Sequence, residues 1–179
     1  MRLFLVLCCL LLAGAARADQ TDERLDGLFA RLRAPDAAEA GTVEATIWRV
    51  WAITRTEEAI LPFRRGVAAM EEGRLPEALA AFDDVVAKAP EFAEGWNKRA
   101  TVLYLLRRYD ESAADVARTL ALEPRHFGAL AGLGLIRRAQ DRDAEALAAF
   151  ERGLAVNPHM EQIAGAVRTL RTRVRGRAI

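Results

Sequence analysis

Residues 96–124 read WNKRATVLYLLRRYDESAADVARTLALEP: a tryptophan, two short runs with apolar residues at helical spacing, a polar break at Arg107–Asp110, and a closing proline. The proline is not isolated. Pro90, Pro124 and Pro158 stand 34 residues apart, and the residues between them align without gaps. Twelve positions before each proline is a small residue, Ala78, Ser112 or Ala146; eight before it is a larger apolar one, Phe82, Val116 or Phe150. Val86, Leu120 and Leu154 lie four before, and the small residues Gly66, Ala100 and Gly134 lie twenty-four before. The quoted stretch is the middle copy of three.

A fixed period of this length marks an array of supersecondary units. Each copy predicts two helices, broken at EEGRL, LRRYD and AQDRD, with the proline stopping the second. The small residues let two helix backbones approach, and Phe82, Val116 and Phe150 fill the space beside that crossing. One pair cannot bury its apolar face alone, whereas stacked pairs can. The expected fold is therefore all-α: an α-solenoid, a right-handed superhelix of three helix pairs with a concave and a convex side.

These residues resemble the tetratricopeptide repeat (TPR) family. In the middle copy Trp96 takes the large slot of the first helix, Ala100 a slot where the family prefers glycine, Leu103 an aromatic slot, Tyr109 the start of the second helix and Pro124 its end. The first copy departs with Pro62 in the tryptophan slot but keeps Gly66, Gly73, Ala78, Phe82 and Pro90. The third has Leu130, Gly134, Ala146, Phe150 and Pro158, with Arg137 and Asp143 as departures. The copies are placed at 59–92, 93–126 and 127–160.

The flanks divide the remainder. MRLFLVLCCLLLAGAARADQ has one early cation, Arg2, an apolar run from Leu3 to Ala13, and the small-x-small pattern Ala16-Arg17-Ala18. This predicts a secretory signal peptide over 1–18, cleaved after Ala18, and an exported, periplasmic protein. The run is shorter than the roughly 20 residues a spanning anchor requires, and Leu5-Val6-Leu7 lacks the small residues that would precede a lipidated Cys8. Residues 19–56 carry an apolar stripe (Leu25, Leu28, Phe29, Leu32), Pro35, and a second run with Ile47, Trp48 and Trp51: a helical hairpin, read as a cap or a degenerate pair. The repeats occupy 57–158. Residues 159–179 show Ile163, Val167, Leu170 and Val174 as one stripe, expected to cap the last pair ahead of a basic tail.

Composition narrows the chemistry. Both cysteines, Cys8 and Cys9, lie in the leader, so the rest of the chain can form neither disulfides nor thiolate sites. With 26 basic and 25 acidic residues, there is no global field to attract nucleic acid. Ser112 sits in a helix-crossing slot, where its hydroxyl is expected to return to a carbonyl of the preceding turn. His126 and His159 stand in equivalent inter-repeat turns, expected to be partly exposed, with no second metal-ligand motif beside either. Gly128, Gly132 and Gly134 follow no strand, so they are not a phosphate loop, and the acidic neighbours Glu71-Glu72 and Asp83-Asp84 do not face each other on a helix. Nothing assigns a catalytic residue, a cofactor or a metal, and the chain reads as no enzyme.

By the same resemblance, the concave groove would be lined by Ile60, Phe63, Arg64, Val67 and Met70; by Asn97, Lys98, Thr101, Tyr104 and Leu105; and by Gly128, Ala131, Gly132, Leu135 and Arg138. Such a lining suits a protein or peptide partner with apolar anchors and an acidic group. The family's clamp for a C-terminal carboxylate uses lysine, asparagine and arginine at slots where this chain has Phe63, Val67, Lys98, Gly128 and Gly132, so only Lys98 could serve. The arginines Arg168, Arg171, Arg173, Arg175 and Arg177 offer a peripheral contact to an anionic surface. The expected function is an exported, non-catalytic adaptor or scaffold. The alternative is a structural, self-assembling component that docks on a cell-envelope complex through a face bearing Trp48 and Trp51. Partner identity and oligomeric state are not legible.

Overall fold

A computed structural model describes residues 19–34 and 37–176. The leader and its cleavage point, Pro35, Asp36 and Arg177 lie outside the described residues. Helices α1 (Arg24–Leu32) and α2 (Ala37–Trp51) precede three pairs: α3 (Glu57–Glu71) with α4 (Leu75–Lys88), α5 (Ala93–Leu105) with α6 (Tyr109–Leu122), and α7 (Phe127–Ala139) with α8 (Asp143–Val156). Helix α9 (Glu161–Gly176) follows, and the described residues contain no strand. The fold is an all-α solenoid, and α4, α6 and α8 begin and end 34 residues apart.

The crossing within each pair is matched in volume. A Cβ on Gly66 would lie 2.7 Å from Phe82, and one on Gly134 would lie 2.3 Å from Phe150. Where the chain has Ala100 instead, the facing residue shrinks to Val116 and both are buried. Ser112 Oγ donates to the Ala100 carbonyl at 2.7 Å, so its hydroxyl is satisfied across the crossing rather than by the preceding turn.

The turns inside the pairs repeat as closely. Gly73, Arg107 and Asp141 share a position and all have positive φ, 72°, 61° and 57°. In each turn the next N–H reaches five residues back: Arg74 to Ala69 (2.8 Å), Arg108 to Leu103 (2.9 Å) and Arg142 to Arg137 (2.8 Å). The left-handed residue's own N–H bonds to Met70, Tyr104 or Arg138, completing the Schellman pattern.

At the far end α9 closes the stack, with Val167 and Leu170 buried against Ala146 and Phe150. Arg171 pairs with Glu151 at 2.7 Å and Arg173 approaches Asp143 at 3.6 Å, so two of the terminal arginines are engaged within the chain. None of the described helices is long and apolar enough to cross a membrane.

The N-terminal hairpin sits elsewhere. Leu25, Phe29 and Leu32 pack on Val43, Ile47, Val50 and Trp51, and this small core is completed by Phe127 from the third pair, with Val156 and Met160 beside it. The leading strand of contacts then follows the inter-repeat turns. Gln20 Nε2 donates to Glu91 O (2.6 Å), Arg125 Nη1 to Asp26 (2.6 Å) and His159 Nε2 to Ala34 O (3.1 Å). Residues 91, 125 and 159 are one position in three copies. The hairpin is thus laid across the turns and onto the inner helices, not onto the end of the first pair.

Candidate functional site

The inner face is formed by α3, α5 and α7, and α2 occupies one part of it. Trp48 lies where a Cβ on Gly128 would be 2.4 Å from its ring, so only glycine admits the indole there. Lys98 Nζ sits 5.8 Å from the Trp48 ring centroid and 3.2 Å from Glu94. Glu44 accepts from Asn157 Nδ2 at 3.0 Å, fixing α2 at its other edge.

Beneath the indoles is a buried polar cluster. Glu94 accepts from Asn97 Nδ2 at 2.8 Å and lies 2.9 Å from His126 Nε2. His126 Nδ1 accepts the Ala129 N–H at 3.1 Å and so caps α7. An acceptor at Nδ1 means the proton is on Nε2, which donates to Glu94. Burial raises the Glu94 pKa, but the hydrogen bond and electrostatic attraction of His126, then the positive charge of Lys98 and the Asn97 hydrogen bond, reverse that, holding the carboxyl below its ordinary value. His126 is wholly buried, against the expectation of a partly exposed turn residue; the adjacent hairpin covers it. His159 is half-buried. Trp51 is buried and Trp48 half-buried, so the indole face expected to dock on other molecules is spent inside the chain.

Beyond Trp48 the groove is open. A cavity of ≈ 190 Å³ lies between α5 and α7, walled by Ala100, Thr101, Tyr104, Ala131, Gly132 and Leu135, with Asn97 and Gly128 at its closed end. Its lining is almost entirely apolar. Leu105 and Leu135 are 50% and 37% exposed. Arg138, one turn past Leu135, is exposed and has no ion pair among the described residues.

The residues expected to line the groove therefore divide. Asn97, Thr101, Tyr104 and Leu135 meet in the cavity, with Leu105 and Arg138 on the same helices nearby. Thr101 Oγ1 is turned to Asn97 O at 2.9 Å. Lys98 is held by Glu94 under Trp48. Phe63 is buried with Phe82 and Phe92, its ring 5.1 Å from the latter, and Val67 and Met70 pack on the same cluster, so these three serve the first pair's core. Arg64 is exposed on α3. The Glu94–His126–Trp51 cluster was not anticipated: Glu94 opens a helix where an acid is unremarkable, and only the hairpin's position buries it. Among the described residues, no group of three or more His, Cys, Asp or Glu side chains could hold a metal ion.

Comparison with known proteins follows the same repeats. The tetratricopeptide repeat family matches residues 63–120 and 97–160. A TPR repeat-containing protein of Rhizobium etli is 36% identical over 137 residues, 76% of this chain and 67% of that protein. The Hsp70-Hsp90 organizing protein of Triticum aestivum is 34% identical over 97 residues, 54% of this chain but only 17% of the wheat protein. Among solved structures, the first TPR domain of Spaghetti (RPAP3), bound to the HSP90 peptide SRMEEVD, superposes with a TM-score of 0.65 at 19% identity, over 68% of this chain and 96% of that one.

Proposed function

The chain belongs to the tetratricopeptide repeat family, and from that premise we propose that it is an exported, non-catalytic adaptor that binds a protein or peptide segment at the open end of its inner groove. The observation that supports this is the apolar cavity between α5 and α7, with the exposed Arg138 just beyond it. One apolar side chain of a partner fills the cavity, and an acidic residue beside it meets Arg138. The Spaghetti domain carries a peptide ending in EVD. In this chain Lys98 is already paired and Gly128 lies under an indole, so the binding proposed is an anchor-in-cavity mode rather than a clamp on a terminal carboxylate. No nucleic acid or cofactor enters the reading. Export to the periplasm rests on the leader pattern, and Arg168 and Arg175, exposed on α9, leave a secondary contact for an anionic surface.

The test is selection of displayed random peptides on the purified chain. Enriched sequences should share a bulky apolar residue flanked by an acid. Their binding should be lost in Leu135→Glu and weakened in Arg138→Glu, with the helical circular dichroism unchanged. Enriched peptides that ignore both substitutions would remove the groove from consideration.

A further inference from the structure

The three pairs are equivalent, yet their upstream faces are not equally covered. On α5 the residues turned toward the preceding pair are Gly95 and Val102, and both are buried. A Cβ on Gly95 would lie 2.7 Å from Val85 of α4, and Val102 packs in the same cluster as Val85. On α7 the same positions are Ala129 and Ile136, again buried. On α3 they are Leu61, 65% exposed, and Ala68, also exposed. The hairpin that could have covered them lies on the inner side instead.

The cleft between the two helices of a pair records the same difference. In the second pair it measures ≈ 220 Å³ and is entered by Leu79 and Asp83 of α4; Arg99 donates to Asp83 at 2.9 Å and to Asp115 of its own pair at 2.7 Å. In the first pair the cleft is ≈ 540 Å³, with Ala68, Ala80 and Ala81 in its lining and no side chain from a neighbouring pair. Among the described residues Arg65, the counterpart of Arg99, reaches only Asp84 of its own pair, at 3.9 Å.

We infer that the outer cleft between α3 and α4 is a docking site for an amphipathic α-helix of another protein, carrying an apolar residue followed one turn later by an acid. The internal interface states that chemistry: Leu79 and Asp83, four residues apart, are what the same cleft accepts one pair further along. The apolar residue lies over Leu61 and Ala68, and the acid meets Arg65. This surface is separate from the inner groove and stands without it.

The chain supplies its own probe, a capped peptide with the α4 sequence LPEALAAFDDVVAK. Titrated to millimolar concentration into the isotopically labelled chain, it should shift the backbone amides of Leu61, Arg65, Ala68 and Ala81. A scrambled peptide should not. Arg65→Glu should weaken binding roughly tenfold, and Leu61→Lys should abolish it, while Leu135→Glu leaves it unchanged. Shifts confined to α5 and α7, no shifts at millimolar peptide, or indifference to Arg65→Glu each overturn the proposal. So does self-association of the chain that is lost in Leu61→Lys, which would assign the face to a second copy.

Discussion

The Trp51 indole lies flat on the His126 imidazole, ring centroids 4.0 Å apart and planes 10° from parallel. Among the described residues Trp51 Nε1 is buried without a hydrogen-bond partner, and packing and stacking hold the ring there. The histidine joins three elements at once: it caps α7, donates to Glu94 of α5 and carries α2 on its face. His126→Ala removes a cap and leaves a buried carboxylate short of a donor. It should destabilise the chain by roughly 2–4 kcal/mol, read as a lower urea midpoint. His126→Asn, able to cap but unable to stack, should recover part of the loss.

The pH dependence follows from Glu94. Its folded pKa is depressed, because the donors and the Lys98 charge outweigh burial. A depressed carboxylate contributes stability that is fully present above its unfolded value, about 4.3, and is lost as pH falls through the folded value. Melting temperature should therefore decline below about pH 4 in the parent chain. Glu94→Gln should start lower at neutral pH and decline less steeply; equal slopes would place the acid-labile group elsewhere.

The repeat register was legible because it rests on local chemistry. Pro90, Pro124 and Pro158 each follow the end of a second helix, and the pairing of glycine with phenylalanine at a crossing is a volume rule visible in any aligned copies. The groove was less legible. Phe63 occupies an inner-face position in the repeat pattern, but Phe92 from the following turn reaches it, and the ring is lost to the core. His126 resembled any histidine after a helix-ending proline. What buries it is a hairpin whose apolar residues show that it must pack, but not on which surface. Long-range placement of a segment outside the repeat has no periodicity to announce it.

Position 73 and its counterparts make a backbone prediction. Arg107 and Asp141 adopt a left-handed conformation that glycine occupies in the first copy. Both are exposed, and a left-handed non-glycine residue is strained by about 1–2 kcal/mol. Part of that is offset by glycine's greater freedom when unfolded, so Arg107→Gly and Asp141→Gly should each stabilise by about 0.5–1 kcal/mol. Gly73→Ala should lose stability. Thermal melts of the three single variants suffice to decide it.

The crossings can be exchanged. Gly134→Ala drives a methyl toward Phe150, where 2.3 Å separates the new Cβ from the ring, and should cost about 1–3 kcal/mol. Adding Phe150→Val recreates the Ala100–Val116 combination already used in the second pair. The double variant should be more stable than Gly134→Ala alone, a coupling that a double-mutant cycle measures directly. Strict additivity would mean that the two residues do not share the crossing.

Gly128 sets how firmly α2 closes the inner face. Any side chain there collides with Trp48, whose ring would be 2.4 Å from a new Cβ. In Gly128→Val the indole must leave its seat, taking with it the Lys98 contact and the edge-on packing against Phe127. The solenoid does not depend on that seat, since α3 to α8 are held by their own clusters. The expected result is local: faster amide exchange in α2 and a red-shifted tryptophan emission, with α5 to α8 still protected. Displacing the indole also opens the inner face beyond the cavity's closed end at Asn97 and Gly128, so peptides selected on the parent chain should still bind and longer ones should gain affinity. Loss of protection throughout α5 to α8 would instead make the hairpin an integral part of the repeat core.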